Sequence, residues 1–341
     1  MKSKKAFEIQ FNWIFVLIAG AAILIFFSSV IIKQKGITQS STNIEMLKQM
    51  ENIVSGAGVS TDTIVPLDIP NFDIKISCNK ISIGSSSSQY QSMILFSPSS
   101  IKGSRIITQT LAFNEPYRSA NLLFITSAQV KYILIGRGAL MEETNRTLPV
   151  ELDKEAFDIY DPSKIRNTNN YKAKLVFFNV NIPSGIPSSL TKMQDSAVTA
   201  IKVTGDIEKG TVDFYKKNGN LFTLSENSAY LGKSSLIAAI YVENPEMYTC
   251  NINNVFSRNS LVTKVYKGKT GNLMARPTTR PDCRQIYSDS LPYLNRIETA
   301  SSKLAKAQKI EISDINEISG SSISLTSQNA EARKFTCPRI Y

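Results

Sequence analysis

The hydrophobic pattern divides the chain into unlike stretches. From Phe11 to Ile32 the sequence FNWIFVLIAGAAILIFFSSVII carries no charge. As a helix this stretch would be roughly 33 Å long, which matches a ~30 Å hydrocarbon core. A core helix of a globular protein keeps a polar stripe, whereas here only Asn12, Ser28 and Ser29 interrupt the run, all towards its ends. Trp13 stands at the edge, where an interfacial ring belongs. A cleavable secretory signal has a shorter apolar region followed by an A-x-A-like site, and no such site follows. The pattern predicts a retained transmembrane helix over 11–32, behind a 1–10 tail.

After this span, 33–71 reads as a short amphipathic helix and linker. Thr42-Asn43-Ile44-Glu45 is a capping box, followed by apolar Leu47, Ile53 and Val54, with Gly56 as a stop. Strand alternation then begins, with Phe72, Ile74, Ile76 and Cys78 on one side and Asp73, Lys75 and Ser77 on the other. Further strands at Met93 to Phe96, Arg105 to Leu111, Leu122 to Thr126 and Val130 to Ile135 predict a β-rich part over 72–140. Residues 141–170 are polar and locally acidic. They lack the D-x-D-x-D-G order of a calcium loop and read as a solvated connection.

The remainder, 171–341, reads as an α/β part with a helical C-terminus. KLVFFNV (Lys174 to Val180), TAIKV (Thr199 to Val203), TVDFY (Thr211 to Tyr215) and LIAAIYV (Leu236 to Val242) are buried runs, with a helix starting near Ser188. Such runs with helical segments between them suggest a sheet covered on both faces. Asn218-Gly219 is a hairpin signal. Asn244 can cap a helix with Pro245 in its first position, and Tyr248, Ile252, Val255, Val262 and Tyr266 mark its apolar stripe. Pro277 and Pro281 interrupt, Leu291, Leu294, Ile297 and Leu304 suggest a second helix, and Asp314 to Leu325 a third. The predicted class is α+β: a transmembrane helix, a β-rich layer, a mixed α/β sheet region and a helical C-terminal part.

Composition narrows the chemistry. The 341 residues contain no His, so Ser-His-Asp and Cys-His nucleophile pairs and His-containing zinc sites are excluded within this chain. Lys2, Lys4 and Lys5 precede the apolar span and Lys33 and Lys35 follow it, a slight positive-inside bias. This predicts a single-pass protein of the cell membrane with its N-terminus cytoplasmic and the domain extracytoplasmic. Four widely spaced cysteines and the sequon Asn145-Arg146-Thr147 agree with that placement. Four cysteines allow three pairings, of which Cys250 with Cys283 and Cys78 with Cys337 are preferred here. The spacing argues against a zinc site, and no metal or cofactor is expected.

The formal charge of +11 is uneven, because Arg258 to Lys309 holds eleven basic residues against three acidic ones. Arg258, Lys264, Lys267, Lys269, Arg276, Arg280 and Arg284 are the candidates for an anion-facing surface, towards lipid headgroups, an anionic envelope component or an acidic protein. Nucleic acid is not expected, since aromatics are not interleaved with these charges.

Few catalytic patterns survive inspection. Gly136-Arg137-Gly138 is half a dinucleotide fingerprint and stops there. Ser189-Leu190-Thr191-Lys192, Ser225-Glu226-Asn227 and Lys269-Thr270-Gly271 resemble the S-x-x-K, S-x-N and K-T-G series of penicillin-binding proteins. That likeness implies a Ser-Lys acyl-transfer hydrolase with Ser189, Lys192, Ser225, Asn227 and Lys269 in its site, although the spacing is compressed relative to that family. The N-terminus resembles the leader of type IV pilins, which implies a filament or secretion component. Cutting after Ala6, however, places Glu8 second, where that family has its Glu fifth. Finally, FNWIFVLIAG, GAGVST (Gly56 to Thr61), ISCN (Ile76 to Asn79), SPSSIKG (Ser97 to Gly103), YTC (Tyr248 to Cys250) and CPRIY (Cys337 to Tyr341) resemble uncharacterised single-pass membrane proteins of archaeal genomes. This resemblance implies a membrane-anchored binding or structural protein of the cell envelope and carries over no catalytic residue.

Overall fold

The computed structural model describes Ile25 and residues 41–56, 60–90, 94–166, 169–183 and 185–341. The predicted span 11–32 lies, apart from Ile25, outside the described residues, as do the 1–10 tail and its pilin-like leader. Among the described residues no helix is long and apolar enough to cross a membrane. The first described helix, α1 (41–56), buries Met46, Leu47 and Met50, and the Tyr90 hydroxyl donates to the Leu47 carbonyl at 3.4 Å.

Two six-stranded sheets follow. The first contains β1 (Ile64–Ser77), β2 (Lys80–Ile83), β3 (Ser86–Gln89), β4 (Leu95–Phe96), β5 (Ser100–Asn114) and β6 (Arg118–Ser127), in the order β3-β2-β1-β5-β6-β4. It is antiparallel except for the parallel β4–β6 pair. The second contains β7 (Val130–Gly136), β8 (Asp153–Phe157), β9 (Lys172–Phe178), β10 (Val198–Gly205), β11 (Lys209–Asn218) and β12 (Leu221–Leu231), in the order β12-β11-β10-β9-β7-β8. Its β8-β7-β9-β10 portion is parallel, and β11 and β12 complete it antiparallel. The β-rich part therefore starts at Ile64 and ends at Ser127, and β7 belongs to the second sheet. Residues 141–170 are more than a solvated connection, because they supply most of α2 (Ala139–Thr147) and the edge strand β8.

Both faces of the second sheet are covered, so its strands read as continuous apolar runs. Tyr132, Leu134, Val176, Phe178, Ile201 and Val203 face the main core. Ile133, Ile135, Leu175, Phe177 and Ala200 face a smaller cluster closed by Ile165 and by Leu190 of the short α3 (Ser188–Thr191). The run LIAAIYV is buried as predicted but is helical, forming α4 (Gly232–Tyr241), in which every residue except Lys233 is buried. A continuous apolar run has no periodicity to separate strand from buried helix. Tyr241 at its end packs in tilted contact with Phe124 of β6 and Tyr132 of β7, at 5.1 and 5.9 Å between ring centroids, so α4 touches both sheets.

Three long helices close the fold: α5 (Pro245–Ala275), α6 (Pro281–Leu304) and α7 (Ile312–Lys334). Asn244 caps α5 as predicted, its Oδ1 accepting from the Met247 N–H at 2.9 Å, with Pro245 in the first turn. The predicted Asn218-Gly219 turn joins β11 to β12, with Gly219 at φ 60°. The disulfides differ from the preferred pairing. Cys78 bonds Cys250 and Cys283 bonds Cys337, with Cα–Cα distances of 6.2 and 5.7 Å. Cys78 directly follows β1, beside the first turns of α5, while the tail after α7 folds back onto the start of α6. Sequence spacing reports neither proximity.

Candidate functional site

In an open parallel sheet, the strand order reverses at one place, and the loops leaving the two strands there diverge to opposite faces, opening a crevice. Here β7 connects outward to β8, and the chain then returns to β9 on the other side of β7. The crevice at this reversal is a cleft of about 790 Å³. Its walls are Arg137 to Leu140 after β7, Asn179 after β9, Gly205 to Glu208 between β10 and β11, Glu115 in the β5–β6 turn, and Gly232-Lys233 at the start of α4.

The backbone explains the residue types. Gly136, Gly138, Asn179, Gly205 and Gly232 all have positive φ. Gly136, at φ 144°, packs so closely on β9 that a Cβ would lie 2.8 Å from the Phe178 carbonyl oxygen. At Gly232, φ 76°, a Cβ would meet the Glu115 Oε1 at 2.6 Å. Both positions require glycine, the first for the strand-to-helix turn and the second to admit a carboxyl group. Asn179 fastens the rim, since its Nδ2 donates to the Gly205 carbonyl at 3.1 Å and its Oδ1 accepts from the Gly205 N–H at 3.0 Å. Asp206 Oδ1 accepts from the N–H groups of Glu208 and Lys209 at 2.9 and 3.0 Å, shaping the next turn.

The electrostatics are mixed. Glu143 receives Lys233 at 3.2 Å and is also paired with Arg146, so α2 and α4 are tied across the cleft. Lys233 in particular holds the Glu143 carboxyl below its usual range. Glu115 makes no hydrogen bond or ion pair among the described residues, and burial, reinforced by Glu208, pushes its carboxyl up to about 7. The first turn of α2 follows Gly138 without a side-chain cap, and Gly138 to Leu140 line the cleft, so N–H groups of this turn that lack a helical partner lie at its wall. The crevice thus offers backbone donors, three cationic side chains (Arg137, Arg146 and Lys233) and a carboxyl that still holds a proton near neutrality. Among the described residues, no group of three or more His, Cys, Asp or Glu side chains could hold a metal ion.

A second, smaller cleft lies beside Cys78, Ser97, Ser99 and Glu243, and the Glu243 carboxylate in it is already engaged. Lys172 pairs with Glu243 at 2.5 Å, and Ser99 donates to the same carboxylate through its N–H and hydroxyl. Lys174 donates to the Val242 carbonyl at the end of α4. Burial lowers this ammonium to about 7, with Glu243 opposing the shift. This arrangement serves the C-terminus of α4.

The residues resembling a penicillin-binding series are placed apart. The Ser189 hydroxyl donates to the Ile165 carbonyl at 2.7 Å, Lys192 caps α3, Ser225 and Asn227 lie on β12, and Lys269 projects from α5 over Tyr266. No hydrogen bond joins any two of them, and none lines either cleft. Asn145 of the sequon is half-buried on α2, and its carbonyl accepts from Lys154 at 2.6 Å. Of the anion-facing candidates, Arg258, Lys264, Lys267 and Lys269 are distributed along α5, and Lys267 is paired with Glu298 at 2.6 Å. Arg276, Arg280 and Arg284 gather at the α5–α6 turn.

The crevice itself was represented in the sequence only by Gly136-Arg137-Gly138. A fuller signal would have been Gly or Asn directly after three successive apolar runs, at Gly136, Asn179 and Gly205. Comparison with protein-family models, with curated proteins and with solved structures gives no match.

Proposed function

We propose that this protein is a membrane-anchored, extracytoplasmic binding protein of the cell envelope that takes a small polar ligand in the crevice at the carboxyl ends of β7, β9 and β10. One observation carries the reading: three strand ends and the first turns of α2 and α4 open on a single cleft where the strand order reverses. The apolar span 11–32 supports the anchor. Two disulfides agree with an oxidising compartment.

The test uses the full chain in detergent micelles, screened by thermal unfolding against sugar phosphates, small carboxylates and polyols. Ala139 is exposed on the cleft wall, so Ala139→Trp fills the crevice without entering the core. Compounds that raise the unfolding temperature of the natural protein should lose this effect in the variant. A response that persists in Ala139→Trp, or a panel without any response, would remove the crevice from consideration. A membrane-impermeant label reaching the domain in intact cells tests the topology independently.

A further inference from the structure

The structure assembles a second surface, far along the chain from the crevice residues, from two segments that the sequence separates. The Cys283–Cys337 bond joins the start of α6 to the tail after α7. The Tyr287 hydroxyl donates to the Pro338 carbonyl at 2.8 Å, and Arg280 Nη1 to Thr336 Oγ1 at 3.4 Å. These contacts bring 276–284 and 331–339 together. The two segments contain six basic residues, Arg276, Arg280, Arg284, Arg333, Lys334 and Arg339, all exposed, against Asp282 and Glu331. Within the same patch Phe335 is 39 % exposed, with the Lys334 ammonium 5.8 Å from its ring centroid.

We propose that this tip docks on anionic lipid headgroups of the membrane that holds residues 11–32. The inference rests on the anchor in the proposed function and not on the crevice. Charge favours an anionic surface, and the exposed ring favours lipid, because an aromatic among cations is suited to the headgroup boundary whereas an acidic polymer gains little from it. The tether adds to this. Residues 33–40 separate the predicted span from α1 and reach at most roughly 28 Å. That is shorter than α5 alone, at about 46 Å. The domain therefore stays beside the bilayer, where each basic residue strengthens contact by about fivefold.

Full-length Trp13→Phe/Phe335→Trp protein, reconstituted through its own span into phosphatidylcholine vesicles with or without about 30 % phosphatidylglycerol, tests this. Brominated lipid should quench the introduced indole in the anionic vesicles only, and about 0.5 M salt should reverse the effect by screening. Adding Arg280→Glu, Arg284→Glu and Arg339→Glu should abolish quenching, whereas the three Lys replacements should retain it and so exclude misfolding as the cause. Loss of flotation on neutral vesicles overturns the anchor and this proposal with it. Flotation with quenching indifferent to lipid charge overturns the tip alone. Retention of the full-length protein on immobilised heparin, lost with the three Glu replacements and seen without lipid quenching, would overturn lipid docking in favour of an acidic polymer.

Discussion

Burial of Glu115 against Gly232, with Glu208 as its acidic neighbour, raises this carboxyl from the usual 4.5 to about 7. Between those values the folded chain keeps a proton that the unfolded chain has released, so stability falls as pH rises through the window. Glu115→Gln should raise stability at pH 8 by about 1–3 kcal/mol and flatten that fall. Urea unfolding at a series of pH values checks both, and an unchanged slope would locate the proton elsewhere. The glycines give a paired test. Gly136→Ala meets both a left-handed φ and the Phe178 carbonyl, and should lose about 2–4 kcal/mol. Gly138→Ala has nothing within 4 Å of its new Cβ and should lose only about 1 kcal/mol from the backbone strain. Thermal unfolding of the two variants separates clash from conformation. At this scale the sequence was legible where a residue acts on its own neighbours, as Asn244 does in capping α5. Glu115 was silent, because its burial comes from α4 and the β10–β11 turn, more than 80 residues further along the chain.

At the scale of elements, alternation located β1, apolar runs located β9 to β11, and the Asn-Gly pair located the hairpin after β11. Misreading of α4 has a physical cause, since a helix buried all round has no polar face and its hydrophobic pattern carries no period. The crossover between β7 and β8 presents a polar sequence for a related reason. The helix α2 is short and buries only Leu140, Met141 and Thr144, and β8 is an edge strand whose side chains are mostly half-buried, so neither carries a long apolar run. The disulfides depend on folding back over 172 and 54 residues, and no local signal encodes that. Cys283→Ser with Cys337→Ser opens the shorter loop and should destabilise the protein by about 4 kcal/mol by loop entropy. Amide exchange should then accelerate over 333–341, where the tail is held by this bond and by Tyr287. Unchanged protection there would mean that the hydrogen bonds hold the tail without it.

At the scale of the molecule, α4 belongs to the cores of both sheets, with its first residues at the crevice and its last carbonyl held by Lys174. A chain ending after Leu231 would leave an apolar face open on each sheet, and it should show the exchange and dye binding of a loosely packed state. The two buried ionisable groups act with opposite sign. Lys174 releases its proton near 7 in the folded chain and only near 10.5 in the unfolded one, so its contribution to stability rises between those values. With Glu115 lowering stability up to about 7, the pH profile should pass through a minimum near neutrality. A maximum there would contradict the assignment of both groups. The cysteine connectivity has one more consequence. Bonding runs first to second and third to fourth along the chain. As synthesis proceeds from the N-terminus, the first partner to become available to each unpaired thiol is its native one. Oxidation in order of emergence therefore reaches the native set directly, and the protein should mature with an oxidase alone, without an isomerase to correct its bonds.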